Sequence, residues 1–404
     1  MTDAADIIVA GGGSAGIAAA LAAARAGART VLLERQSTLG GMGSHALVHT
    51  FCGLYHPDVS QGPRFLNGGI AEEIGLEMMR RTGQTGPDLM GRVYVLRQHP
   101  TLFAGLADEL CRAEGNLKRV SGAEWVALTR EDGGWRIEMM NQGLRRTLKC
   151  RAVVDTTGDA TGARLLNPAL CEQAEGARLY RPAYVCVFHE VRPLTDDNWR
   201  LTLGAAIVRA VKEGRLPGAA MGSGFRASPF AGEVFLTIDL EAGEAHWDPF
   251  DPVKRAQVEE EGRGTALALW RFLRAEQASF QGCPPPMLPA QAGIRESARY
   301  RGDYVITGED LAASRQFEDN VALAGWPMEK RENARGPKFR YFDRPEPAGI
   351  PARCLKNSGV PGLFFAGRCL SADHEALASL RVMGTCMATG EAAGKLAVDF
   401  VAGR

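Results

Sequence analysis

The chain of 404 residues is long enough for two or three domains and a large buried core, which excludes small disulfide scaffolds. With 47 basic and 47 acidic residues and no net charge, it lacks the basic excess of a generic nucleic-acid binder. Its 48 glycines, about 12% against an average near 7%, point to many backbone positions needing close approach or positive φ. Nine widely spaced cysteines without a CxxC pair suit a reduced, cytoplasmic setting.

In chain order, Asp6–Ala10 reads as a short buried strand, Ser14–Ala26 as an alanine-rich helix closed by Gly27, and Thr30–Glu34 as a second strand. The uncharged run from Ile7 to Ala24 holds four glycines, lacks a basic leader and ends at Arg25, so neither a signal peptide nor a membrane helix is expected. Thr101–Ala113 reads as a helix, Val120–Cys150 as an antiparallel meander, and Ala152–Asp155 as another buried strand. From about Tyr180 to Gly282 mixed strands and helices follow, including an amphipathic helix from Val253 to about Phe280. A proline-rich crossing at 284–289 leads back to a strand at Gly362–Ala366 and a helix from about Gly384 to Val401. The expected fold class is α/β: a Rossmann-like domain from residues 1–175 and 290–404, with a mixed substrate or cap domain inserted at 176–289.

The sharpest motif is Gly11-Gly12-Gly13-Ser14-Ala15-Gly16, a GxGxxG that directly follows a strand and directly opens a helix. Gly11 allows the tight turn, Gly13 lets backbone approach a pyrophosphate, and Gly16 lets helix and strand pack, with the helix N-terminus favouring the anion. Glu34, eighteen residues beyond Gly16, is placed to accept hydrogen bonds from a ribose diol. The motif alone leaves NAD and FAD open.

Longer segments carry a resemblance. GGGSAGIAAALAAARAG, LLER and LGGMGSH together are similar to the FAD-binding start of glutathione-reductase-type flavoproteins, VVDTTGDA resembles their mid-chain segment, and GLFFAGRCLSADHEALASLRVMGTCMATGEAAG resembles the closing signature of the FAD-dependent oxidoreductase family. Gly293–Leu311 is also similar to that family. The resemblance implies bound FAD, with its pyrophosphate on Gly11, Gly13, Ser14, Ala15 and Gly16, and its ribose on Glu34 beside Arg35. It further implies the flavin near Gly41 and Met42, support from Thr157, Gly158 and Asp159, and the backbone of Trp125 at the adenine side. Gly367 and Arg368 would lie along the ribityl-diphosphate, where Arg368 would neutralise phosphate, and the helix starting at Met383 and Gly384 would face the flavin. No second glycine motif suggests a nicotinamide domain.

Flavin oxidation of a C–H beside oxygen or nitrogen often uses a base, and His374, inside the closing signature, is the candidate, with Arg381 for substrate or flavin charge. His45, His49, Cys52 and His56 crowd the segment after Met42; active-site lining (His49 in particular), covalent flavin attachment through His45 or Cys52, and zinc binding are three readings of it. Arg295, with Arg299 and Arg301 nearby, is a candidate for recognising a substrate carboxylate or phosphate. Lys330, Arg331, Arg335, Lys338, Arg340 and Arg344 read as a solvated loop, and Cys369 and Cys386 as buried packing. The expected function is oxidation of a small-molecule substrate by hydride transfer to flavin N5, with oxygen or another acceptor reoxidising the flavin. The rivals are a monooxygenase fed by an external reductant and a non-catalytic FAD-binding redox module. No nucleic-acid, membrane or metal partner is expected, and a homodimer is compatible with the chain.

Overall fold

The computed structural model describes residues 5–172, 179–241, 247–332 and 336–404. Its start follows from the glycine motif and the apolar runs around it. β1 (Ile7–Ala10), α1 (Ser14–Arg25) and β2 (Thr30–Glu34) form the first unit, and every residue of β1 is buried because neighbouring strands and helices cover both its faces. Asp6 falls outside the strand and instead pairs with Arg29, 2.8 Å away, at the sheet margin. Further on come β3 (Leu117–Ser121), the strands β4 (Ala123–Glu131), β5 (Gly134–Asn141) and β6 (Leu144–Cys150), and β7 (Ala152–Asp155). Val120 therefore belongs to the parallel sheet through β3, and the antiparallel meander starts only after Gly122, whose φ of +67° makes the turn.

The 176–289 stretch supplies β8 (Ala183–Phe188), β9 (Gly224–Ala227), β10 (Val234–Asp239) and a 25-residue helix, α2 (Pro252–Glu276). The three strands make an antiparallel sheet in the order β8-β10-β9. α2 ends at Glu276, short of the expected Phe280, because Gln277 turns extended and a single 3-10 turn carries Phe280 into the core, edge-on to Phe188 at 5.5 Å. Tyr184, Phe188, Leu236, Leu269 and Phe280 belong to a core separate from that of the parallel sheet.

The chain returns through β11 (Leu363–Phe365), α3 (His374–Leu380) and α4 (Met383–Ala402). The five-stranded parallel sheet has the order β11-β7-β1-β2-β3, with Ile7 opposite both Ala152 and Thr30. α4 packs on α1 through Gly390 and Gly394, where a Cβ would run into the carbonyl oxygens of Ala15 and Ala19. The alanine surface of α1 and the glycines one turn apart on α4 thus bring two backbones together over the glycine motif. Among the described residues no helix is long and apolar enough to cross a membrane.

Candidate functional site

The glycine loop is shaped as its sequence requires. Gly11 has φ +102°, and a Cβ on Gly16 would collide with the Gly11 carbonyl oxygen, so neither position takes a side chain without moving the loop. Gly41, with φ +54°, brings its backbone against Gly13, where a Cβ would lie 2.8 Å from the Gly13 Cα. Ser14 and Ala15 open α1, and the short helix starting at Met42 follows directly on Gly41. Glu34 is buried; one carboxylate oxygen accepts from Gly12 N at 2.6 Å and the other from Gln36 N at 2.8 Å.

Beyond Glu34 lies a cleft of about 450 Å³ lined by Arg35, Gly122, Glu124, Arg255 and Gln291. Glu124 faces this cleft, while Trp125, next along β4, buries its ring and donates from Nε1 to the Ala127 carbonyl. Arg255 reaches the cleft from α2, so the 176–289 stretch helps build it.

The Thr157–Asp159 turn is organised by Asp155. Its buried carboxylate accepts from Thr157 N (2.9 Å), Gly162 N (2.7 Å) and the Tyr300 hydroxyl (2.7 Å), and burial holds its pKa above the usual value. Gly158, at φ +76°, sits against the guanidinium of Arg368. Arg368, expected to neutralise phosphate, has an internal partner: Nη2 donates to Asp159 at 2.8 Å and Nη1 to the Ile294 carbonyl at 2.7 Å. Burial works against the charge of Asp159, but Arg368 and the Ser297 hydroxyl outweigh it and hold the carboxyl below its usual range. Gly367 lies beside Ala15. The N–H of Gly384 is taken by the Cys52 carbonyl at 2.9 Å, and a Cβ there would press on the Gly53 backbone at 2.6 Å. Its place is therefore packing, and its N–H is not free to face a ligand.

His374 stacks on Tyr180 with ring centroids 4.1 Å apart, and Arg381 lies over the same Tyr180 ring at 4.9 Å. The Nδ1 of His374 is 2.8 Å from Glu296, which also pairs with Arg299 and accepts from Tyr180 N. Burial disfavours the Glu296 carboxylate, but the hydrogen bond from His374 and the charge of Arg299 hold its pKa down. Arg295 lies 2.7 Å from Asp239, so its positive charge, expected to meet a ligand, is matched inside the protein. Arg331 pairs with the other Asp239 oxygen at 2.6 Å and with Glu329, which removes it from the solvated loop expected there. Arg340 bridges Glu309 and Glu375, Lys330 also pairs with Glu375, Lys338 is exposed, and Arg335 lies outside the described residues.

The His/Cys segment does not converge. His45 shares a 2.8 Å hydrogen bond with Thr38, His49 stacks on Phe235 at 4.6 Å, and His56 interacts with Arg64 at 2.9 Å. Burial pushes the Cys52 thiol far above its usual pKa. Among the described residues no group of three or more His, Cys, Asp or Glu is placed to hold a metal ion.

Residues 6–402 match the family described as FAD dependent oxidoreductase. The chain belongs to this family. FAD is accordingly its cofactor, and the loop fits it: glycine backbone where phosphate would approach, a buried carboxylate at Glu34 where the ribose would lie, and a cleft beyond it bearing two guanidinium groups. Among solved structures, the family member is similar to the anhydrotetracycline hydroxylase OxyS of Streptomyces rimosus at 14% identity and TM-score 0.43, covering 74% of this chain and 54% of that one. It is also similar to CabE, an aromatic hydroxylase from angucycline biosynthesis, at 13% identity and TM-score 0.49, covering 99% and 63%. The p-nitrophenol 4-monooxygenase PnpA of Pseudomonas putida matches at 11% identity and TM-score 0.46, covering 100% and 82%. The chain thus spans less than two thirds of the length of the first two.

Sequence reasoning passed over Tyr180, Arg226, Asp239 and Glu296, and took Glu329 only as an acid interleaved with the basic loop that follows it. Glu296 left a trace, as the acid three residues before Arg299 in a family-like segment.

Proposed function

We propose that this flavoprotein oxidises a small organic substrate by two electrons, with His374 accepting the proton that the substrate's O–H or N–H gives up. The observation that carries this reading is the bond from His374 Nδ1 to Glu296 at 2.8 Å. An ionised carboxylate only accepts, so Nδ1 carries the hydrogen and Nε2 presents its lone pair, which has no protein partner among the described residues. Glu296 is a positioning residue: it fixes the tautomer and stabilises the imidazolium once the proton arrives. Tyr180 holds the ring plane by stacking, and its hydroxyl donates to the His374 carbonyl at 2.9 Å, tying ring and backbone together. Bound FAD supplies the two-electron acceptor. The proposed arrangement is a cofactor-binding part formed by 1–175 and 290–404 and a substrate-facing part at 176–289, whose sheet brings Phe235 to His49 and Asp239 to Arg295.

The second reading is hydroxylation with oxygen and an external reductant, the kind of activity the three structural neighbours are named for. Anaerobic mixing of the FAD-loaded protein with alcohols, amines, amino acids and hydroxy acids separates the two. Bleaching of the flavin by one of them, slowed roughly 100-fold or more in His374→Ala, is the expected result. Absence of bleaching across the panel, with an oxygenated product formed only when a reductant is added, assigns the hydroxylase reading instead.

A further inference from the structure

The cleft beyond Glu34 takes its walls from both parts of the chain. Arg35 directly follows β2, Gly122 and Glu124 come from the turn into the meander and from β4, Arg255 from α2, and Gln291 from the segment that returns after it. The Glu34 carboxylate connects this cleft to the glycine loop. One of its oxygens accepts from Gly12 N at 2.6 Å and the other from the N–H of Gln36, which lines the cleft.

Arg255 is held at the cleft by its helix. The Asp251 side chain caps α2 through Val253 N and Lys254 N, at 2.8 and 3.3 Å, and Arg255 N donates to the Asp251 carbonyl at 3.0 Å. One turn on, Glu259 accepts from Ala292 N at 2.6 Å, while the adjoining Gln291 N donates to the His45 carbonyl at 3.2 Å. Residues four apart share a helix face, so the turn bearing Arg255 and Glu259 lies against the segment that joins the cleft to the short helix after Gly41.

The guanidinium at the end of this support is unmatched. Among the described residues Arg255 makes no ion pair and donates no side-chain hydrogen bond. Glu124, which lines the same cleft, does not pair with it, and Asp159 is held by Arg368 at 2.8 Å. Burial lowers the pKa of Arg255; Asp159 and Glu259 oppose this, and Arg35 and Arg368 reinforce it. The group keeps its proton at neutral pH. A guanidinium offers five N–H donors and no acceptor, so the ligand that satisfies it must bring acceptors, and the adenosine-phosphate half of FAD carries them as phosphate oxygens, ribose hydroxyls and ring nitrogens.

We propose that Arg255 binds the adenosine-phosphate half of FAD, so that the cofactor bridges the glycine loop and the 176–289 stretch and holds the two together. Cofactor retention is read without substrate, so the outcome does not depend on which reaction the enzyme catalyses. The FAD-loaded protein is diluted stepwise and free FAD is measured by its fluorescence. The expected Kd is at least tenfold higher in Arg255→Gln, the order that a charge-assisted hydrogen bond contributes, and Arg255→Lys falls between the two. Arg271→Gln, at an exposed position near the far end of the same helix, leaves the Kd unchanged. An unchanged Kd in Arg255→Gln, or an equal rise in Arg271→Gln, overturns the proposal. Should Arg255→Gln fail to fold, phenylglyoxal labelling of the wild type with FAD bound and after FAD is stripped decides. Bound FAD should shield Arg255 far more than it shields the buried Arg299, and equal shielding of the two overturns the proposal.

Discussion

His49 makes the protein's stability depend on pH in a way that one substitution isolates. The imidazole is 8% exposed, stacked on Phe235, with Nδ1 3.3 Å from the Leu47 carbonyl. Burial, reinforced by the charge of Arg226, lowers its pKa to about 4, against an ordinary value of 6.5. Above pH 6.5 the ring is neutral in both folded and unfolded chains, and its titration contributes nothing. Between pH 6.5 and 4 the unfolded chain takes up a proton that the folded one refuses, so stability falls as the pH falls. Below pH 4 both forms are protonated and the loss stays constant. At about 1.4 kcal/mol per tenfold difference in proton affinity, the gap is worth roughly 3 kcal/mol. His49→Gln is close in volume, still able to donate to Leu47, and does not titrate. Urea unfolding of both proteins from pH 7.5 to pH 4 reads the difference: the wild type should lose about 3 kcal/mol more than the variant over that range. Curves that stay parallel down to pH 4 would refute the burial argument and return His49 to an exposed, ordinary histidine.

Glu34→Leu removes the proposed ribose acceptor and the partner of the Gly12 N–H; fluorescence titration should show FAD affinity at least tenfold weaker, on the order of what a charge-assisted hydrogen bond contributes. Gly16→Ala places a Cβ on the Gly11 carbonyl oxygen, so the loop must open. The purified variant should be colourless, with a melting temperature several degrees lower, and a yellow protein melting at the wild-type temperature would count against the collision. Acid precipitation of the yellow wild type should release the flavin into the supernatant. The reason is that the Cys52 thiol is held protonated by burial and His45 Nε2 is engaged by Thr38, leaving neither ready as an attachment nucleophile.

The elements legible in the sequence are those whose cause is local. β1, α1, β2 and β7 fall within a residue of their expected bounds, because a glycine or a charged residue punctuates each apolar run where the chain must turn. The place of Glu34, at the end of β2 with its carboxylate on Gly12 N, follows from the same cause: a fixed spacing from a fixed motif. β3 was not, since Leu117–Ser121 alternates like the meander that follows, and only its pairing with β2 assigns it to the parallel sheet. The ion pairs of Asp239 left still less trace. Arg331 sits in a stretch with five other basic residues and reads as solvated, yet its partner Asp239 lies 92 residues away. No periodicity encodes a contact of that range, and nothing around Arg226 sets it apart from the other arginines.

The charges around Asp239 divide by origin. Asp239 ends β10, in the 176–289 stretch, and takes both its partners, Arg295 and Arg331, from the returning part of the chain. An acid shared between two arginines across that junction ties the two parts together: with one oxygen on each guanidinium, losing Asp239 would leave the buried Arg295 unmatched and Arg331 with Glu329 alone. The pairing is complete without a ligand, which is why Arg295 is a poor candidate for recognising one. Arg226 and Arg381 come from the same two parts of the chain, and the Glu329 carboxylate acts on the charge of both.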